Sequence, residues 1–304
     1  MSDDASLIAA QHEGRRRFLE LVAEIRPELH RYCARMVGSI TDGEDVVQDA
    51  LARAYYALPE METMPQLRPW LFRIAHHRAL DHLKRYDVRM REPLDDAARD
   101  AADAAADPDE ALAREEATHA AITRFVDLAP AQRSAVVLKD VLGHSLDEIA
   151  VLLELTPPAV KAALHRGRMR LRESKRGARE APRAASQLVA RYADLFNARD
   201  WDGVRSLLLE ECRLELVSKS TRQGKTVGIY FERYAKDSDL RFVLGSAEGR
   251  DVIGVFRGAA ATRPAYVILI DVDGDQVSLI RDYRYIPYMA DELSFHAYDQ
   301  GESP

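Results

Sequence analysis

The sequence predicts a multi-domain chain in which two all-α helical domains precede an α+β domain, and three observations carry that reading. At 304 residues the chain is long enough for two domains of ordinary size or three small ones. Residues 92–116 hold two basic and ten acidic residues, with Leu94 and Leu112 as the only large apolar side chains, so this stretch cannot bury a core and reads as a solvated linker. From Ser186 onward the apolar pattern changes from helical spacing to short strand-like runs separated by glycine. A second break falls in the Pro- and Ala-containing run 179–185. The expected division is therefore 1–91 (helical), 92–116 (linker), 117–178 (helical), 179–185 (linker) and 186–304 (α+β).

Composition excludes several classes of protein. Hydrophobic residues at 47% and charged residues at 31% are globular values, which argues against wholesale disorder. The net charge of −7 argues, as an average, against a nucleic-acid binder. Resolved by segment it says otherwise: 92–116 carries −8 and 186–304 carries −4, whereas 117–185 carries +5 and 1–91 is neutral. Cys33 and Cys212 fit no metal-ligand spacing, so neither a metal site, a disulfide framework nor a cofactor is expected. No apolar run approaches the roughly 20 residues of a membrane span, and the start, Met1-Ser-Asp-Asp, lacks a secretory pattern. A cytoplasmic protein with no membrane partner is expected.

In the first module Val46, Val47, Ala50, Leu51, Ala54, Tyr55 and Leu58 form one helical stripe, with Thr41 and Glu44 at capping-box spacing before it. The opposite face shows Asp45, Gln48, Asp49 and Arg53, which suits either a solvated surface or a partner. A breaker-rich loop from Pro59 to Pro69 leads to a helix over Trp70–Arg85 that buries Leu71, Ile74, Ala75 and Leu83. Its other face carries Arg73, His76, His77, Arg78, Lys84 and Arg85, the cationic face that tracks a nucleic-acid backbone.

The second module holds the most specific local pattern. One helix over Leu128–Asp140 precedes a capping box, Ser145-Leu-Asp-Glu148, and a short helix burying Ile149. A turn at Glu154-Leu155 leads to Thr156-Pro157-Pro158, a cap residue before a proline at the first helical position. Two short helices joined this way form a helix-turn-helix, whose second helix enters the DNA major groove. Thr156, Pro158, Ala159, Lys161 and Ala162 stand at its N-terminal end, where base edges are met, and His165, Arg166 and Arg168 follow, where phosphates are met.

In the third module a helix over Leu188–Phe196 and a second ending near Leu209 precede strand-like runs at 213–217, 240–244, 252–256, 265–271 and 276–283. This order indicates a curved antiparallel sheet wrapped on helices.

Two sets of residue strings carry a family resemblance. Asp42–Tyr55 with Trp70–Arg85 resembles region 2 of extracytoplasmic-function sigma factors of the sigma-70 family. Leu128–Arg133, Ser145–Ala150 and Val160–Arg172 resemble region 4 of the same family. The resemblance implies a non-enzymatic promoter-recognition factor whose partners are core RNA polymerase and promoter DNA. It implies that Asp45, Gln48, Asp49 and Arg53 face the clamp helices of the largest polymerase subunit. It implies that Arg68, Arg73, His77, Arg78, Lys84 and Arg85 engage the minus-ten element, and that the helix from Thr156 reads the minus-35 element. Many relatives carry Ser-Arg where this chain has Ala162-Ala163, so two hydrogen-bonding side chains are missing and no promoter sequence follows.

The runs Phe196–Trp201 and Ile280–Tyr288 resemble a SnoaL-like domain of the ketosteroid-isomerase cone fold. That resemblance implies a cone-shaped domain with a pocket, for which Tyr283, Tyr285 and Trp201 are the candidates. Strand alternation places Tyr283 and Tyr285 on one face and Asp282 on the other, so no acid–base pair follows from spacing. The domain is read as regulating the factor in cis, through a small-molecule ligand or an intramolecular contact. The alternatives are a stand-alone helix-turn-helix regulator, or a sigma factor whose last domain binds or transforms a small molecule.

Overall fold

The computed structural model describes residues 2–58, 61, 65–90, 114, 117–118, 120–173, 186–293 and 295–298, so both expected linkers lie almost wholly outside the described residues. The chain forms two compact units, Met1–Ala178 and Arg179–Pro304.

The first unit is helical. It contains α1 (Ser2–Val37), α2 (Ile40–Ala57) and α3 (Leu67–Met90), a 3-10 turn (Ile122–Asp127), α4 (Pro130–Val136) running into a π turn (Val137–Val141), α5 (Leu146–Leu153) and α6 (Pro157–Glu173). A single cluster runs from Phe18 on α1 through Val47 and Leu71 to Val136, Ile149 and Leu164, so residues of both expected helical modules share one core. Helices α1 and α2 approach closely at Gly43, where a Cβ would lie 2.5 Å from the Ala34 Cα.

The cap of α2 differs from expectation. Ser39 is the N-cap and accepts from the Asp42 amide, while Thr41 and Glu44 are buried. The Glu44 carboxylate is taken by Arg26 from α1. A buried charge gains more from a cationic partner than from capping an amide. The second capping box forms as expected: Ser145 accepts from the Glu148 amide, and Glu148 accepts from the Ser145 amide.

The second unit is α+β, the class expected. Helices α7 (Gln187–Asn197) and α8 (Trp201–Ser206) lead into β1 (Leu208–Leu216) and β2 (Ser220–Gln223), and α9 (Gly228–Ala235) interrupts before β3 (Leu240–Ala247). Strands β4 (Arg250–Arg257), β5 (Tyr266–Asp273) and β6 (Gln276–Asp282), a helical turn α10 (Tyr288–Glu292) and β7 (His296–Ala297) complete it. The seven strands form one sheet in the order β2-β1-β6-β5-β4-β3-β7. The sheet is mixed, not wholly antiparallel, because β1 pairs parallel with β6, with Leu214 opposite Ile280.

Helices α7, α8 and α9 pack on the sheet through Tyr192, Phe196, Val204 and Phe231 against Leu214, Phe242, Ile253 and Ile268. Asn197 locks α7 to β3, accepting from the Phe242 amide (2.9 Å) and donating to its carbonyl (2.8 Å).

Candidate functional site

On α6 the positions expected to meet DNA divide by burial. Thr156, Pro158, Ala159 and Lys161 are exposed at the N-terminal end, and Ala162, His165 and Arg166 are half-buried. The end is shaped locally: Glu154 takes a left-handed backbone (φ 57°) that reverses the chain after α5, and the Thr156 hydroxyl accepts from the Ala159 amide at 3.4 Å. These four side chains are therefore solvent-facing at the N-terminal end of α6. Arg168 is different. It is 6% exposed, and its guanidinium donates to both Asp140 oxygens at 2.9 and 2.5 Å. The sign of its charge marked it as a phosphate ligand, whereas the structure places it in a buried ion pair that joins α6 to the π turn.

On α3, His77, Lys84 and Arg85 are exposed. Arg68 pairs with Glu28, Arg73 lies 3.5 Å from Glu154, and Arg78 bridges Asp81 (2.5 Å) and Asp49 (3.9 Å). On α2, Asp45 and Arg53 are exposed, Gln48 and Asp49 half-buried, and Asp49 holds Arg53 at 3.2 Å one turn on.

Sequence reasoning missed Arg133, Tyr32 and Ser134, which join these surfaces, and placed on the open basic face of α3 a residue, His76, that the structure turns toward Tyr32. Arg133 is 4% exposed and donates to the carbonyls of Met36, at the end of α1, and of Val126 and Leu128. It thereby supplies donors that a helix C-terminus otherwise lacks. The Tyr32 hydroxyl shares a hydrogen bond with His76 Nδ1 (2.7 Å) and donates to Ser134 (3.2 Å). Burial, with His77 beside it, lowers the His76 pKa to about 4, so its ring is neutral near pH 7. The spacing of these residues in sequence gave no sign of their contact.

In the second unit the three pocket candidates find separate partners. Trp201 stacks on Phe231 (6.2 Å) and meets Phe196 edge-on (5.0 Å). Tyr285 accepts from Arg233 and lies under Lys219 at 4.3 Å. Tyr283 is 1% exposed.

The polar centre is instead Asp282, fully buried at the end of β6. Its Oδ2 accepts from the Tyr234 hydroxyl (2.7 Å) and its Oδ1 from the Arg284 amide (2.9 Å). The chain is completed by Tyr266, which donates to the Tyr234 hydroxyl (3.1 Å) and accepts from Arg284 (3.2 Å). The Arg284 guanidinium lies over the Tyr234 ring at 4.3 Å. Desolvation raises the Asp282 pKa above the ordinary carboxylate value despite these donors. A separate surface cavity of about 370 Å³ is lined by Ser186, Arg250, Asp251 and Asp271 among others. Among the described residues no group of side chains could hold a metal ion, and no helix is long and apolar enough to cross a membrane.

Comparison with known proteins follows the same division. Residues 21–89 match the Sigma-70 region 2 family, and residues 124–171 match Sigma-70, region 4. The chain is 31% identical over 289 residues to the ECF RNA polymerase sigma factor SigG of Mycobacterium tuberculosis (strain ATCC 25618 / H37Rv), covering 83% of this chain and 77% of that protein. It is 28% identical over 167 residues to the ECF RNA polymerase sigma factor SigW of Bacillus subtilis (strain 168), covering 52% of this chain and 89% of that one. Among solved structures, the sigma factor SigJ of Mycobacterium tuberculosis matches with 21% identity and a TM-score of 0.35, over 87% of this chain and 95% of that one. Bal32a, from a soil-derived mobile gene cassette, matches with 20% identity and a TM-score of 0.27, over 35% of this chain and 93% of that one.

Proposed function

Because this chain belongs to the extracytoplasmic-function RNA polymerase sigma factors, we propose that α6 reads the minus-35 element through its exposed N-terminal end and that the basic face of α3 engages the minus-ten element. The observation that carries the proposal is the exposure of Thr156, Pro158, Ala159 and Lys161 on a capped recognition helix whose other face is buried. Lys161 and Arg166 supply phosphate affinity, and the short side chains at 158, 159 and 162 admit close approach to base edges. His77, Lys84 and Arg85 form the exposed part of the minus-ten surface, with Arg68, Arg73 and Arg78 available once released from their carboxylates. Asp45, Gln48, Asp49 and Arg53 form the polymerase-facing patch.

The working divisions of this proposal are 1–91, 117–178 and 186–304, with 92–116 and 179–185 as tethers. The last domain sets the activity of the first two in cis, as a folded body with its own core.

The test is transcription from a cognate promoter by core polymerase supplied with the purified chain. Lys161→Ala combined with Arg166→Ala is expected to weaken promoter binding and to lower the slope of log K against log salt by about 0.9 for each phosphate that goes unneutralised. An unchanged slope and unchanged output would overturn the α6 assignment. Truncation after Arg183 is expected to change promoter output. Equal output and equal polymerase affinity would overturn regulation in cis.

A further inference from the structure

Lys219 and Arg233 converge on one neutral side chain, Tyr285. Lys219 closes the turn between β1 and β2, where Ser218 takes a left-handed backbone (φ 70°) and the Lys219 amide donates to the Leu216 carbonyl at 2.8 Å. Its ammonium stands 4.3 Å from the centre of the Tyr285 ring. Arg233, in the last turn of α9, donates to the Tyr285 hydroxyl. Both cations are exposed and Tyr285 is half-buried. Among the described residues neither cation has a carboxylate partner, although residues 186–304 hold 19 acidic side chains against 15 basic ones. Arg250, Arg257 and Arg281 in the same unit each have one. A ring face holds a cation through its quadrupole but cancels none of its charge. The Tyr285 oxygen accepts from Arg233, and its own O–H has no acceptor among the described residues.

We propose that Lys219, Arg233 and Tyr285 form a surface binding site for the dianionic phosphate of a phosphomonoester. The ligand class follows from hydrogen bonding and charge. An ammonium, a guanidinium and a phenol O–H offer donors, so the group they meet must be rich in acceptors. Two positive charges without carboxylate partners are matched by a terminal phosphate, which carries about −1.5 to −2 near pH 7. A carboxylate or a backbone phosphodiester supplies only about −1 and would leave one cation uncompensated. The guanidinium fork suits phosphate oxygens, and the ammonium adds a point charge beside it. The site lies at the surface of the second unit, outside the buried Asp282 network, and does not depend on the promoter reading.

The experiment is calorimetric titration of the full chain at low, constant ionic strength, where exposed charges are least screened. The probes are inorganic phosphate, dimethyl phosphate as the diester, and acetate. Inorganic phosphate is expected to bind saturably, and the two monoanions about tenfold or more weakly. Lys219→Gln combined with Arg233→Gln should weaken phosphate binding about tenfold or more, and Tyr285→Phe about threefold. The exposed substitutions should keep the parent's Tm within a few degrees, so that lost binding reports the site and not the fold. Absence of saturable phosphate binding, or equal affinity in the parent and the double variant, would overturn the proposal. Dimethyl phosphate bound as tightly as phosphate would also overturn it, in favour of a nucleic-acid backbone. The promoter-facing residues of the first unit are untouched by these substitutions, so failure here is distinct from failure of the sigma-factor roles.

Discussion

Arg168 and Arg170 stand two positions apart on the same basic helix, and burial gives them different work. Arg168 neutralises Asp140, which is 1% exposed, whereas Arg170 faces solvent. Removing Arg168 strands a buried carboxylate, a change that costs about 3–5 kcal/mol. Arg168→Ala is therefore expected to lower the Tm of the first unit sharply, and its loss of DNA binding would be a folding effect. Arg170→Ala should stay within about 0.5 kcal/mol of the parent. Denaturant melts of the two variants check this, and equal midpoints would refute the burial argument. The contrast shows where sequence reading reaches its limit at this scale. A count of arginines reveals a basic helix, but an arginine turned toward Asp140 and one turned toward solvent have the same letter. Arg133 went unread and His76 was read as part of an exposed basic face for the same reason: their partners lie on other elements.

Elements were more legible than the contacts between them. The Ser145–Glu148 box and the Thr156-Pro157 start delimit α5 and α6 because capping is local chemistry, read within four residues. The Thr41–Glu44 spacing misled because Arg26, 18 residues away, takes the Glu44 carboxylate. In the second unit, α9 escaped notice because its apolar residues, Ile229, Tyr230, Phe231 and Tyr234, are compressed into eight positions between loops. The parallel β1–β6 pair escaped because register between distant strands leaves no local trace. Gly43 is an element-scale constraint that the sequence does carry. Alanine there gains about 1 kcal/mol of helix propensity. Its Cβ, however, would lie 2.5 and 2.6 Å from the Cα and N of Ala34, backbone atoms with no rotamer to escape by. Overpacking costs about 1–3 kcal/mol and more when backbone must move. Gly43→Ala should lower the Tm despite its higher helix propensity, and a raised Tm would show that α1 and α2 can separate freely.

At the scale of the whole molecule, two cores whose buried titratable groups contribute with opposite sign predict two unfolding transitions that differ in their response to acid. In the first unit His76 is held near pKa 4, below its unfolded value of about 6.5. Its folded form then binds fewer protons than its unfolded form, so stability present above pH 6.5 is lost as pH falls toward 4, by about 2 kcal/mol at pH 5. In the second unit Asp282 is raised above its unfolded value of about 3.9. Its folded form binds more protons, so its contribution strengthens as pH falls through the raised pKa and is weakest at neutral pH. Calorimetric scans at pH 7, 6 and 5 should therefore show the first unit's transition moving down more steeply than the second's. His76→Gln should flatten the first dependence, and Asp282→Asn should remove the acid-side gain from the second. Because each variant acts on one core, each should move one transition and leave the other in place. Parallel movement of both transitions, unaffected by either substitution, would mean that His76 and Asp282 do not set the acid response of their units.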